Sequence, residues 1–279
     1  MNSELEYTIR PLREDSEYTE FESLQRETWG ADIEEIVTGP LAKIVQKIGG
    51  IAAGAFDRQD ALIGTVFGFT GVRDGIPVHW SHMLAVKDGN RNKGIGTKLK
   101  LYQRTTLLRM GVPVVYWTYD PLVAKNAQMN FNILGAGVLE YSTNMYGSGD
   151  DSKLFRGIGT DRFVVIWQID SERIVEILDE KHRFDHEPFV TAPMAVYRTV
   201  ENDRASSPAI NLAILESKAR VEIPEDIHEL MSHALACAAD WRFNTREAFQ
   251  YLLMRGYRVK GFYRDAESGR CFYCLEKLD

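Results

Sequence analysis

Two glycines separated by one residue lie just past a pair of cations in the stretch Val86-Lys-Asp-Gly-Asn-Arg91-Asn92-Lys93-Gly94-Ile95-Gly96-Thr97-Lys-Leu-Lys-Leu101. The pattern reads as a strand end, a polar turn and a helix that begins among the glycines. Backbone N–H groups at a helix start have no partner within the helix and point outward together. Their dipoles add roughly half a positive charge, and Arg91 and Lys93 add more. Without side chains at Gly94 and Gly96, a ligand can approach the backbone closely. Such a turn is a seat for an anion, most simply a phosphate or pyrophosphate. It is not the G-x-G-x-x-G dinucleotide fingerprint, nor a P-loop, which needs Lys-Ser/Thr directly after its glycines.

Composition limits what this seat can serve. The 279 residues suffice for one large domain or two modest ones. Apolar residues make up 44% and charged residues 26%, an ordinary globular balance. A formal charge of -7 argues against a general nucleic-acid binder but leaves room for one local basic groove. No segment approaches about 18 consecutive apolar residues, so no membrane span is expected. The start, Met1-Asn-Ser-Glu-Leu-Glu6, lacks the basic and apolar regions of a cleaved export signal, and a cytoplasmic protein is expected. Cys237, Cys271 and Cys274 have no histidine nearby in ligand spacing and read as plain thiols, with no metal expected.

The elements that would hold the seat follow from periodicity. Strands are expected at 7–10, 51–56, 62–69 and 78–86, with helices at 15–28 and 40–48. The helix over 96–109 takes much of its apolar face from Leu99, Leu101, Leu107 and Leu108. The run 112–119 is nearly all apolar or aromatic, as a strand buried on both faces would be. A helix over 123–134 stops at Gly135, and strands at 138–141 and 163–169 close this part. A helix at 172–181 leads to a tail with short strands at 195–199, 210–215 and 220–223. One or two helices over 224–254 follow, then a hairpin of 257–263 with 270–276. The pattern is α+β.

With these elements around it, the strand–turn–helix at 82–101 resembles the acyl-coenzyme A-binding motif of the GNAT N-acyltransferase superfamily. The motif, Arg/Gln-x-x-Gly-x-Gly/Ala, stands here as Arg91-Asn92-Lys93-Gly94-Ile95-Gly96. The strand 112–119, then Asn126-Ala127, Phe131 and Leu134-Gly135, supply a second element of the resemblance. It covers roughly residues 5–170 and implies a mixed, mostly antiparallel central sheet flanked by helices. On this reading residues 1–170 bind the acyl-CoA, 171–190 link, and 191–279 form a C-terminal α+β extension. The co-substrate would be acetyl-CoA or another acyl-CoA. Leu84, Ala85, Val86, Arg91, Asn92, Lys93, Gly94, Ile95, Gly96, Thr97, Asn126 and Phe131 would hold it. The pieces Trp80-Ser-His82-Met-Leu, Asn144-Met-Tyr146-Gly and Thr160-Asp-Arg162-Phe further resemble a bacterial branch with an extended C-terminal part, some of whose relatives N-succinylate amino acids.

Many members of this superfamily carry a tyrosine, four residues before the Leu-Gly glycine, that protonates the leaving thiolate. Phe131 stands there in this chain, so Asn130 or Tyr146 becomes the candidate for orienting the thiol. A backbone N–H near Leu84 or Ala85 would hold the thioester oxygen. His79 and His82 precede the motif three positions apart and should face opposite sides of their strand. His82, nearer the expected thioester, is the favoured base, with a structural histidine as the alternative; Asp120 and Glu140 are reserves. Arg156 and Arg162 would grip a carboxylate of an amino acid or of a dicarboxylic acyl tail, or else pair with Asp150, Asp151 or Asp161. Trp241-Arg242 could wall the pocket. The expected activity is direct N-acylation of a small-molecule amine, with no nucleic acid or membrane involved and a homodimer through the tail left open. A non-catalytic coenzyme A sensor or scaffold and a protein-lysine acyltransferase are the alternatives.

Overall fold

The computed structural model describes residues 7–30, 36–147, 157–179, 184–201 and 204–278. They form two compact units: Met1–Trp117 with Gln168–Ser171, and Thr118–Trp167 with Glu172–Asp279. The architecture is mixed α+β.

The first unit contains β1 (Tyr7–Pro11), α1 (Asp15–Trp29), α2 (Gly39–Lys47), β2 (Ile51–Asp57), β3 (Leu62–Arg73), β4 (Ile76–Val86), α3 (Ile95–Arg109) and the start of β5 (Val114–Tyr119). Its strands run β1-β2-β3-β4-β5, all antiparallel except the last pair. Local chemistry sets the boundaries. Glu14 and Glu17 close a capping box at the start of α1, and Pro40 sits in the first turn of α2. The Asp57 carboxylate accepts the N–H groups of Gln59 and Ala61 and turns the β2–β3 hairpin.

Each face of this sheet takes different helices. Phe67 turns to Phe21 of α1, in a core with Tyr18, Leu24, Val45 and Met83. Gly64, three residues earlier, has its open side against Ile95 and Leu99 of α3. The register steps from Phe67↔Met83 to Gly68↔Ser81, so His82 is the extra residue of a β-bulge. Before the bulge, His79 and Ser81 reach α3 residues; after it, Leu84 and Val86 lie beside Gly96.

The apolar face expected for α3 is partly displaced. Ile95, Leu99, Lys100, Gln103 and Leu107 are the buried residues, while Leu101 and Leu108 are half-buried. The stripe 95-99-103-107 repeats every four residues and points at the sheet, whereas Leu101 and Leu108 lie on its flanks. Gln103 on the stripe and Lys100 next to it are polar because His79 and Ser81 of β4 face them.

The second unit begins with the end of β5 and a short α4 (Ala124–Ala127) that continues as a π-helix over Gln128–Ile133. Leu134 accordingly donates to the Met129 carbonyl, five residues back. β6 (Gly137–Ser142) pairs antiparallel with β7 (Arg162–Gln168), and α5 (Glu172–Leu178) follows. The tail builds its own sheet, in the order β11-β12-β10-β8-β9, from β8 (Met194–Glu201), β9 (Arg204–Ile210), β10 (Lys218–Ile223), β11 (Tyr257–Arg264) and β12 (Cys271–Lys277). Its helices are α6 (Ile227–His233) and α7 (Leu235–Met254). Phe163, Phe249, Tyr141 and Tyr273 meet in an aromatic core, with Phe163 and Phe249 centred 4.7 Å apart.

One expected strand moves. Of the run 210–215, Ile210 ends β9 and 211–215 is a loop in which Ile214 is buried and Leu215 is 87% exposed. The strand is instead the small, polar β9, on the sheet edge, where Pro208 is tolerated because only one side must pair.

Candidate functional site

A short 3-10 turn, Asp88–Asn90, carries the chain from β4 to α3. The two cations brace it. Arg91 pairs with Asp88 at 2.6 Å and donates to the Val86 carbonyl, while Lys93 donates to the Gly89 carbonyl. Asn92 and Gly94 take left-handed φ values of 64° and 77°, so the chain doubles back before the helix. The first helical bond runs from Lys98 N–H to the Gly94 carbonyl. The N–H groups of Ile95, Gly96 and Thr97 therefore precede the helical ladder, and no side chain caps them. A Cβ at Gly96 would stand 3.7 Å from Leu84 and 3.9 Å from Val86, ordinary contact distances. No neighbour demands that glycine; its bare Cα keeps the approach to the helix tip open.

β4 presents an edge beside this tip. Lys87 N–H donates to the Ile63 carbonyl of β3, so by the two-residue alternation Ala85 and Met83 also direct their N–H groups toward β3. Leu84 and Val86 direct theirs the other way, in keeping with the Val86 carbonyl accepting from Arg91. Of the two residues considered for holding an oxygen, Leu84 thus has the outward amide, while Ala85 is buried. Pairing with β5 ends at Trp80↔Tyr116, so Ser81 and Trp117 are the first residues past the junction.

The two histidines face opposite sides, as their spacing required. His82 is half-buried against the rings of Phe67 and Phe69, at 6.2 and 5.5 Å. His79 is fully buried in a chain of hydrogen bonds. Thr70 spends its hydroxyl proton on the Gly49 carbonyl, so it accepts from His79 Nδ1–H at 3.0 Å. Nε2 is then a bare acceptor for the Gln103 amide at 3.0 Å, which turns Gln103 Oε1 toward Lys100. Burial and the charge of Lys100 push His79 down to about 3, so it stays neutral and is no base at neutral pH.

Lys100, only 2% exposed, ends this chain. Its Nζ donates to Ser81 Oγ at 2.7 Å and lies 3.9 Å from the Trp117 ring centre. Burial pushes its amine down to about 7, against about 10.4 in an unfolded chain. Between those values the unfolded state binds more protons, so stability rises with pH, and the full penalty is felt below 7. Lys100→Met should therefore raise the melting temperature, by about 1–4 kcal/mol of stability at pH 6. The gain should disappear above about pH 10. Thermal melts across that range check it, and a pH-independent change would contradict it.

In the second unit, Arg242 grips Asp120 through two bonds of 2.9 and 2.5 Å, with Arg162 3.9 Å from the same carboxylate. Burial alone would push Asp120 up, but the charge and hydrogen bonds of Arg242, with Arg162, hold it below the usual range. That carboxylate is committed to an ion pair and is no base at neutral pH. Arg162 also donates to the Asp161 carbonyl, and its guanidinium lies 5.3 Å from the Tyr146 ring centre. The Asp161 carboxylate takes two bonds from Arg246, one from Tyr141 and one from Asn144 N–H. Tyr146, exposed, has its hydroxyl 3.0 Å from Thr118 Oγ1. A cavity of about 440 Å³ is lined by Asn144, Gly159, Arg242, Phe243 and Arg246, among others.

Asn126 is half-buried in α4, and Asn130 is fully buried on the π-helix. Phe131 packs edge-on between Tyr119 and Tyr273. Arg156, Asp150 and Asp151 lie outside the described residues. Burial pushes the Cys271 thiol up to about 11 and Cys274 up as well, the opposite of a reactive thiolate. Among the described residues no cluster of metal-binding side chains is present, and no helix is long and apolar enough to cross a membrane.

The sequence reading does not single out Ser81, Lys100 or Gln103, and it considers Arg242 as a pocket wall without its pairing to Asp120. The available signal was the same for Lys100 and Arg242: a long cation standing on or next to the apolar stripe of its helix.

No family model matches the chain, and no curated protein does. Several solved structures show a partial likeness. The NatC complex bound to Gag peptide and CoA has a chain 15% identical, covering 59% of this chain and 99% of its own, with a TM-score of 0.48. The ribosomal-protein-S18-alanine N-acetyltransferase of Escherichia coli is 14% identical, covering 60% and 96%, with a TM-score of 0.46. Naa50 of Arabidopsis thaliana, in complex with a bisubstrate analogue, is 13% identical, covering 57% and 97%, with a TM-score of 0.45. Likenesses this weak carry no argument about activity.

Proposed function

We propose that the protein is an acyl-CoA-dependent N-acyltransferase that acts on a small-molecule amine, with an amino acid as the leading acceptor and an acetyl or succinyl donor. The observation that carries this reading is the uncapped start of α3, whose Ile95, Gly96 and Thr97 N–H groups precede the helical ladder and whose Gly96 adjoins the side chains of Leu84 and Val86. A pyrophosphate needs unpaired donors and room, and the tip offers both. Acyl-CoA supplies an activated acyl group as a thioester. The chain supplies the rest: the helix tip binds the pyrophosphate, and Leu84 N–H donates to the carbonyl oxygen as charge builds there. His82 takes the amine proton, directly or through water. Arg162 is proposed to receive a carboxylate of the acceptor or the acyl tail. Residues 1–170 would carry the acyl-CoA site, with 191–279 as an extension.

Calorimetry with coenzyme A and release of free thiol from acetyl- or succinyl-CoA with a panel of amino acids test this. Binding with turnover is the expected outcome; no heat with any coenzyme would reject it. His82→Ala should lower kcat by about 10²–10⁴-fold while coenzyme affinity holds; an unchanged kcat would remove His82 from the reaction. Phe131, buried and without a hydroxyl, favours the second reading, a non-catalytic coenzyme A sensor. Tight binding without turnover over a broad amine panel would select it.

A further inference from the structure

The ammonium of Lys100 occupies a particular place. Pairing of β4 with β5 stops at Trp80↔Tyr116, and Lys100 Nζ bridges the next residue of each strand, Ser81 by a 2.7 Å bond and Trp117 by its ring face. A buried amine, protonated below about pH 7, thus bonds to the residue at which the two strands stop pairing. It is buried, and among the described residues no carboxylate pairs with it. The groups that face it are Ser81 from β4, Gln103 from α3 and the Trp117 ring from β5, all uncharged. His79 of β4, linked through Gln103, is the titratable neighbour and is neutral; Thr70 of β3 lies beyond it. Dipoles and a ring quadrupole compensate a buried ammonium only in part, so an anion placed at the junction would be held strongly.

We propose that Lys100 is an electrostatic positioning residue that stabilises the departing sulfur of an acyl thioester as a thiolate; this rests on the acyl-CoA reading above. In the transfer, the amine nitrogen forms a bond to the acyl carbon. The C–S bond breaks with its electron pair staying on sulfur, and the amine proton goes to His82 or water. The sulfur leaves as an anion facing the ammonium, and it takes its proton from solvent after release. No protein acid has to protonate it, which makes a phenylalanine at position 131 compatible with turnover. The depressed amine of Lys100, near 7, fits this role, because a neighbouring anion pulls such a group back to its charged form.

The test reads the thiol rather than the turnover. Coenzyme A bound to the whole protein is titrated by the ultraviolet absorbance of its thiolate, in wild type and Lys100→Met. Desulfo-coenzyme A reports anchor affinity alone. In wild type the bound thiol should ionise about 1–3 pH units below the free coenzyme. In Lys100→Met it should return to the free value, with desulfo-coenzyme A affinity unchanged within about twofold. Lower kcat with little change in KM should accompany it. Should Lys100→Met fail to fold, Lys100→Gln is read by the same criterion. A bound thiol that titrates alike in wild type and variant overturns this inference and leaves the acyltransferase reading standing. Failure of wild type to bind either coenzyme overturns both.

Discussion

Arg242→Ala is expected to destabilise the second unit by about 3–5 kcal/mol in urea unfolding. The side chain is 2% exposed and holds Asp120 by two bonds, so its loss leaves a buried carboxylate with the Leu122 N–H as its remaining short hydrogen bond among the described residues. Arg162, 3.9 Å away, is too distant to replace those bonds. Lysine should not rescue, because one ammonium cannot reproduce two parallel bonds. Removing both charges, in Asp120→Asn with Arg242→Met, should cost less than Arg242→Ala alone. The pH dependence carries a second signature. Asp120 is held below its unfolded value, so its contribution is present above about pH 4 and fades as pH falls through its folded value. Arg242→Ala should lose that acid-sensitive component. A variant within about 1 kcal/mol of wild type at pH 7 would show that the pair is not what holds this region together.

Gly96→Glu should abolish detectable coenzyme A binding, with a loss of about 100-fold or more, while slightly raising the melting temperature. Two effects separate here. A carboxylate in the first turn of α3 complements the helix dipole, and replacing a helical glycine gains about 0.5–1 kcal/mol. The same carboxylate would stand where a pyrophosphate must sit. Like charges about 4 Å apart repel by about 4 kcal/mol near a protein surface, and each 1.4 kcal/mol is tenfold. Gly96→Ala is the control. Its methyl group meets Leu84 and Val86 at ordinary distance, so the fold should keep its stability. If Gly96→Glu bound coenzyme A as wild type does in calorimetry, the anion seat would have to lie elsewhere.

Most elements of the first unit were legible because their periods are unambiguous. The apolar runs of β2 and β3, the apolar side of α1 and the proline and glycines that bound α2 placed those elements within a few residues. The helix tip with Gly94 and Gly96 was legible for the same reason: glycines after a strand and before a helix have few other uses. The bulge at His82 was not legible, since one extra residue leaves no compositional mark and appears only when the partner strand is known. The π-helix over Gln128–Ile133 hides likewise, because its residues suit an ordinary helix. β9 was missed because an edge strand needs only one hydrogen-bonded side and tolerates small polar residues and a proline. The ion pairs of Asp120 and Asp161 join residues about 80 to 120 positions apart, beyond any local pattern.

The extra residue in β4 works as a phase shifter for the strand. Upstream of it odd-numbered side chains point toward α3; downstream the even-numbered ones do, and the outward amides change parity with them. A deletion of one residue at position 82 would leave composition and length almost untouched. It would also close the ladder, because Ser81 and Met83 would then stand side by side opposite Gly68 and Phe67, with the Met83–Val86 segment keeping its facing and its outward amides. Position 82 is thus the one place in this stretch where a residue can be lost without turning its neighbours over; a residue lost from Met83–Val86 would turn the rest of that segment to the opposite face.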